Sequence, residues 1–368
     1  MQALQRALSA QDAAAVRAAV DQALMALGPW AGQPEIATRY FPPVNTSAFD
    51  QAKLRAWWLQ EISRGLGNVP WVSNPQGDPR IMTNGLREAA YPLDALARSA
   101  ALFPEQRNAL QTQVRTGADW LLQRQHASGV FPFPVGPGLN PRDKVGRSVE
   151  HTIRANPSIV VNDWIANDLG DGSLQFDNGL SGGALINAWA LTRDARYLAA
   201  ARKAGDWAIA QQLVTNWNYN AFSVGFLARL FSATGEDKYL QAALKKTQLG
   251  VLPGQLPSGR WFDPHNACAV YHNILLRELL ELLHALPSQH PYRSTLLDAI
   301  TRGINQAAAE TLAKGYTGTW TESFARGLQW IGENPAWRQA MNASIQASGK
   351  GKAPALGVAA IPVLEGVR

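Results

Sequence analysis

The chain has 368 residues, 46% hydrophobic and 17% charged, which suits a large folded core and excludes a disordered chain. Its formal net charge of +6 favours anionic partners, but the Lys and Arg residues are scattered, the densest cluster being "GKGK" at 349–352, and no nucleic-acid-binding motif is present. A single cysteine excludes an internal disulfide and any multi-thiolate metal site, and no apolar run is long enough to span a membrane.

In chain order, residues 1–48 read as an amphipathic helical extension. Charges run throughout it, unlike a signal peptide. The expectation is a soluble protein of a bacterial-type cytoplasm or periplasm. "FDQAKLRAWWLQEISRG" predicts a helix near 49–65, and "TNGLREAAYPLDALARSAAL" opens a helical unit at Asn84. A less regular hairpin is expected over 127–176.

From 179 to 191, Leu180, Ala184, Ala188 and Leu191 form one helical stripe. "TRD" breaks it, and Asp194 suits the N-cap of a second helix. That helix carries Tyr197, Ala201, Ala204 and Ala208 on one face.

The next unit copies this one. "NGLSGGALINAWALTRDARYLAAA" from Asn178 aligns without a gap on "NAFSVGFLARLFSATGEDKYLQAA" from Asn220, an offset of 220 − 178 = 42. The pairs Asn178/Asn220, Ser181/Ser223, Gly183/Gly225, Leu185/Leu227, Thr192/Thr234, Tyr197/Tyr239 and Leu198/Leu240 are identical. This length fits two helices and two turns. "HNACAVYHNILLRELLELL" opens another unit at Asn266. "YRSTLLDAITRGINQAAAETL" and "TESFARGLQWIG" supply the last helices before a tail at 346–368. Gly-aromatic loops recur as "SGVF", "SGRW" and "TGTW".

Five to seven helical hairpins follow. Hairpins bury their apolar faces only by stacking into a solenoid or closing into a ring. The Gly- and Ala-rich inner helices, nearly free of charge, and the Trp-rich loops at one end favour a ring over an open solenoid. The predicted fold class is all-α, with hairpin repeats closing into a toroid, as one domain over 1–345.

Hairpins with "TGEDKYLQAALKKT"-like second helices and Gly-aromatic loops resemble the (α/α)6 toroid, or six-hairpin, carbohydrate-active enzymes. These include six-hairpin glycosidases, unsaturated-uronyl hydrolases, sugar epimerases and toroid polysaccharide lyases. The resemblance spans roughly 50–345. It implies a saccharide partner, acidic ones included, and it assigns no reaction.

The residue before the repeated Asn varies: Thr83, Asp177, Tyr219 and His265. At helix N-termini these positions meet unpaired N–H groups that suit a polar or anionic ligand. The repeated Asn220 and Asn266 read first as caps. Asp163, Asp168, Asp171 and Asp177 make 160–179 the most acidic loop. Paired carboxylates can hydrolyse a glycosidic bond as acid and base. Asp171 reads as a turn residue, Asp163 and Asp168 as intermediate cases, and Asp177 as the leading catalytic candidate. Glu322 opens the last inner helix as its possible partner.

"DPHN" predicts Asp263 as N-cap and Pro264 as first helical residue. His265 then stands in the first turn as an acid/base candidate. His272 lies seven residues on, too far to share a metal with it, so no metal and no cofactor are expected. His272 reads equally as a catalytic base or a core histidine. Trp217, Trp261 and Trp320 suit stacking on sugar rings, or plugging between hairpins. Arg260 suits a substrate carboxylate.

Three readings follow. The first is a carbohydrate-active enzyme hydrolysing glycosidic bonds. The second is a lyase working by β-elimination, or an epimerase, with His265, His272 or Tyr219. The third is a non-catalytic repeat module that binds a glycan or protein. No DxDD-like run supports a terpene cyclase.

Overall fold

The structure is a computed structural model. It describes residues 2–27, 44–82, 84–135, 150–151, 153–167, 172–262, 268–314, 319–348 and 359–366. Its longer elements are α-helices: α1 (Gln2–Ser9), α2 (Ala13–Leu27), α3 (Gln51–Ser63), α4 (Pro70–Ser73), α5 (Arg87–Leu102), α6 (Arg107–Leu122), α7 (Leu174–Thr192), α8 (Ala195–Ala210), α9 (Trp217–Thr234), α10 (Asp237–Gly250), α11 (Ala269–Ala285), α12 (Arg293–Lys314), α13 (Thr321–Trp330), α14 (Pro335–Ser348) and α15 (Ala360–Glu365). Three two-residue strands, β1 (Phe133–Pro134), β2 (Val160–Val161) and β3 (Trp164–Ile165), form an antiparallel sheet in the order β1-β3-β2. That sheet lies where the sequence predicted an irregular helical hairpin. Among the described residues no helix is long and apolar enough to cross a membrane.

The chain divides into two compact units. One comprises Leu59–Gln212 and Arg229–Tyr239. Here α7 packs against α5, α6 and α8. Buried residues surround α7 on nearly every side, with Asp177 and Asn178 among them. The other unit comprises Met1–Trp58, Leu213–Ala228 and Leu240–Arg368. Its N-terminal helices are tied to loops: Gln5 donates to the Leu213 carbonyl at 3.3 Å, and Arg17 to that of Gln255 at 2.9 Å.

Identical residues in the 42-residue repeat do identical work. Asn178 accepts from the Phe131 N–H and donates to the Ala204 carbonyl on α8. Asn220 accepts from the Val214 N–H and donates to the Gly250 carbonyl on α10. Each buried amide thus joins a loop to the outer helix of its own hairpin. Thr192 and Thr234 each donate to the carbonyl four residues back and accept the N–H two residues on, closing the helix end. Tyr197 and Tyr239 donate to Asp119 and Asp206 on the preceding outer helix, and Arg196 and Lys238 pair with the same two carboxylates. Asp194 accepts from the Arg196 N–H as the predicted N-cap.

The paired glycines admit charged side chains from the helix after next. A Cβ on Gly183 would lie 2.6 Å from Arg229 Nη1, and one on Gly225 would lie 1.8 Å from Glu278 Oε2. Arg229 also donates to the Gly183 carbonyl at 2.9 Å and pairs with Asp94 at 2.9 Å, beside Arg98 and Asn187.

The Gly-aromatic loops share one clip. Gln125 donates to the carbonyls of Gly129 and Ala200, and Gln255 to those of Gly259 and Ala299. Gly129 (φ +96°) and Gly259 (φ +90°) would each place a Cβ within 2.4 Å of a helix carbonyl, of Lys203 and Arg302 respectively. Only glycine tolerates both the dihedral and the approach. The third loop, at 317–320, falls partly outside the described residues.

Candidate functional site

Asp177 lies in the first turn of α7 and is buried. Arg87, in the first turn of α5, donates to it three times. Its Nη2 reaches Oδ2 at 2.6 Å, its Nε reaches Oδ1 at 3.1 Å, and its backbone N–H reaches Oδ1 at 3.2 Å. The guanidinium stacks 3.8 Å from the Phe176 ring centroid. Gly85, at φ +75°, leaves room for the carboxylate, since a Cβ there would lie 2.9 Å from Oδ1. Arg87 is the partner that sequence reading missed. Its only signal was its place one residue after a helix-opening "NGL".

The other candidates fall in separate places. Asp163 is exposed. It follows Asn162 in the two-residue turn joining β2 to β3, both at positive φ. Asn and Asp favour such a hairpin turn, and this is what Asp163 does. Glu322 is buried at the start of α13, held by Arg326 at 2.9 Å and by Arg277 at 3.8 Å. Arg326 also pairs with Glu281, and Arg277 with Glu278. Five charged side chains therefore form one compact network there.

Arg260 pairs with Glu310 at 3.4 Å and lies 5.8 Å from the Trp320 ring centroid, so its charge is met within the protein. Trp217, Trp261 and Trp320 are buried. The Trp217 indole donates to the Phe262 carbonyl, and that of Trp261 to Val251 at 2.9 Å. These rings act as plugs between helices. Tyr219 is half-buried beside the fully buried Asn218 and Asn220.

His272 is buried between Trp261 and Trp320, with ring centroids 5.5 and 5.8 Å away. Its Nε2 lies 3.2 Å from the Gly259 carbonyl and so carries the proton, while Nδ1 has no hydrogen-bond partner among the described residues. Burial first, then the Arg260 charge, push its pKa well below the ordinary 6.5. This is a neutral core histidine that holds the Gly259 loop.

The helix predicted to begin at Pro264 begins at Ala269, with Cys268 extended at its N-cap. Asp263 and Pro264 themselves lie outside the described residues. His265, Asn266, Asp168 and Thr83 lie outside the described residues. Among the described residues no group of three His, Cys, Asp or Glu is placed to hold a metal.

The described residues also form an open cleft within the unit of Leu59–Gln212 and Arg229–Tyr239. It has a volume of about 350 Å³ and is lined by Gln76, Arg124, His126, Asn162 and Trp164, among others. Sequence reading passed over it.

No family model and no curated protein matches the chain. Solved structures do. A glycosyl hydrolase family 88 protein from Bacteroides vulgatus superposes with a TM-score of 0.55 at 11% identity, covering 85% of this chain and 99% of that one. A point mutant of unsaturated glucuronyl hydrolase from Streptococcus agalactiae gives 0.54 at 12% identity, covering 89% and 98%. A polysaccharide lyase gives 0.54 at 11% identity, covering 86% and 96%. The likeness shows the fold: the all-α hairpin architecture of the toroid carbohydrate-active enzymes, as the repeats predicted.

Proposed function

We propose that the chain is a carbohydrate-active enzyme of glycoside-hydrolase type. It cleaves glycosidic bonds of an oligo- or polysaccharide, uronate-containing ones included, with Asp177 as the acid/base carboxylate. The observation that carries this reading is the Asp177–Arg87 pair. Burying such a pair costs several kcal/mol of desolvation per ion. The hairpin itself does not require it, because the equivalent position one repeat later is Tyr219. Arg87 keeps a quarter of its side chain exposed, against 1% for Asp177. An incoming acidic sugar draws the guanidinium aside and uncovers the carboxylate. Solved structures of this fold include hydrolases and a lyase by name, so the fold admits either reaction.

The test is incubation with neutral and uronate-containing oligosaccharides, following reducing ends and the absorbance of an unsaturated uronate. Hydrolysis yields new reducing ends without absorbance. Absorbance that grows with cleavage makes the protein a lyase. Cleavage of no substrate in the panel sinks the enzymatic reading in favour of a binding module. Full activity in Asp177→Asn removes this residue from the chemistry.

A further inference from the structure

The cleft beside α6 is assembled from three segments far apart in the chain. Gln76 and Gly77 come from a loop that Asn74 braces. Its side chain exchanges two hydrogen bonds of 2.9 Å with the Asp78 backbone, and its carbonyl accepts from the Trp120 indole at 2.8 Å. Arg124 and His126 follow the end of α6. Asn162 and Trp164 come from the β2–β3 hairpin.

Arg124 is the distinctive group. Its guanidinium stacks 4.1 Å from the Trp120 ring centroid and is fixed by the Trp120 carbonyl at 2.6 Å and by Gln123 Oε1 at 3.0 Å. The Pro75 carbonyl lies at 3.4 Å. It rests directly on Gly77, where a Cβ would lie 1.9 Å from Nη2. These partners are neutral; among the described residues no carboxylate pairs with it. Burial lowers its pKa from the ordinary value, so an anion in the cleft would be doubly favourable. His126 adds a donor. Its Nδ1 accepts the Ser128 N–H at 3.2 Å, which leaves the ring proton on Nε2. Trp164, half-buried, adds an aromatic surface.

The cleft also adjoins the Asp177 region through residues 131–133. Pro132 lines the cleft. The Phe131 N–H binds Asn178, and the Phe133 ring lies 5.7 Å from the Arg87 guanidinium.

We propose that this cleft is a binding subsite for an acidic sugar, with Arg124 receiving its carboxylate or sulfate and Trp164 its ring face. His126 and Asn162 are placed for sugar hydroxyls. The proposal rests on the functional reading above only in taking the ligand for a saccharide.

The test is calorimetric titration of the full-length protein with methyl glucuronide, glucose 6-sulfate and methyl glucoside. At least one anion is expected to bind at least tenfold more tightly than the neutral glucoside, and comparing the two anions tells carboxylate from sulfate. Arg124→Met is expected to reduce that affinity to the glucoside level. Gln76→Glu, a change at an exposed side chain, keeps the test valid if the Arg124 variant does not fold. It sets a negative charge in the cleft and is expected to weaken anion binding at least fivefold while leaving glucoside binding unchanged. Equal affinity for anion and glucoside, undiminished anion binding in Arg124→Met or Gln76→Glu, or no binding of either anion overturns the proposal. Binding is read without turnover. Loss of the hydrolase reading therefore leaves an Arg124-dependent signal standing, and cleavage without that signal removes only the cleft.

Discussion

Arg87 and Asp177, ninety residues apart in the chain, meet through three hydrogen bonds at the first turns of two neighbouring helices. The fork geometry is what distinguishes arginine from lysine at such a site. Asp177→Asn keeps the shape and removes the acid/base group, so turnover is expected to fall at least about a hundredfold with a smaller change in KM. Asp177→Ala should in addition lower stability by about 2–3 kcal/mol, because Arg87 loses its charged partner. Denaturant titration of both variants separates the two effects. Equal stability of the Ala variant and the parent contradicts the bonding described here.

His272 makes stability depend on pH. Its folded-state pKa lies below the unfolded value, so between the two the unfolded chain binds more protons. The stability held by the neutral ring is complete above about pH 6.5 and is lost as pH falls toward the folded value. Urea titrations across this range should show a slope that His272→Gln flattens. A variant with the parent's slope assigns the effect to other groups.

Gly225→Ala is expected to destabilise by about 1–3 kcal/mol, since the added methyl collides with Glu278 and forces it from its seat. In the Gly225→Ala/Glu278→Ala double variant the collision is gone, so the two changes should be non-additive. Strict additivity in a double-mutant cycle rules out the contact.

Asn220 holds two carbonyls and one N–H. Asn220→Ala leaves these buried backbone groups without partners and should cost about 2–4 kcal/mol. Asn178→Ala should cost less, with two such bonds lost rather than three. A reversed order in thermal denaturation refutes this account of the repeat.

The hairpin architecture was legible because one unit is written twice. Asn178 and Asn220, Thr192 and Thr234, and Tyr197 and Tyr239 each keep a backbone or helix-to-helix bond that any hairpin of this length needs. Asp194 likewise signalled its cap. Charge placement was not legible. Arg229 and Glu278 enter spaces that Gly183 and Gly225 leave open, and a small residue gives no sign of what fills the gap it makes. The tryptophans left two readings open for a related reason: composition does not say which side of an indole faces water. The Arg124 cleft was hidden because its walls come from three segments joined only by folding, with no periodicity in common.

The Gln–Gly clip appears at 125–129 and again at 255–259. It asks for a glutamine, a glycine four places later, and an adjacent helix carbonyl. The fastening lies at the foot of each loop and spends none of the residues beyond it. Whatever follows the glycine can be exchanged like a tool in a common handle, so new rim chemistry can be grafted onto this scaffold without relearning how to fold.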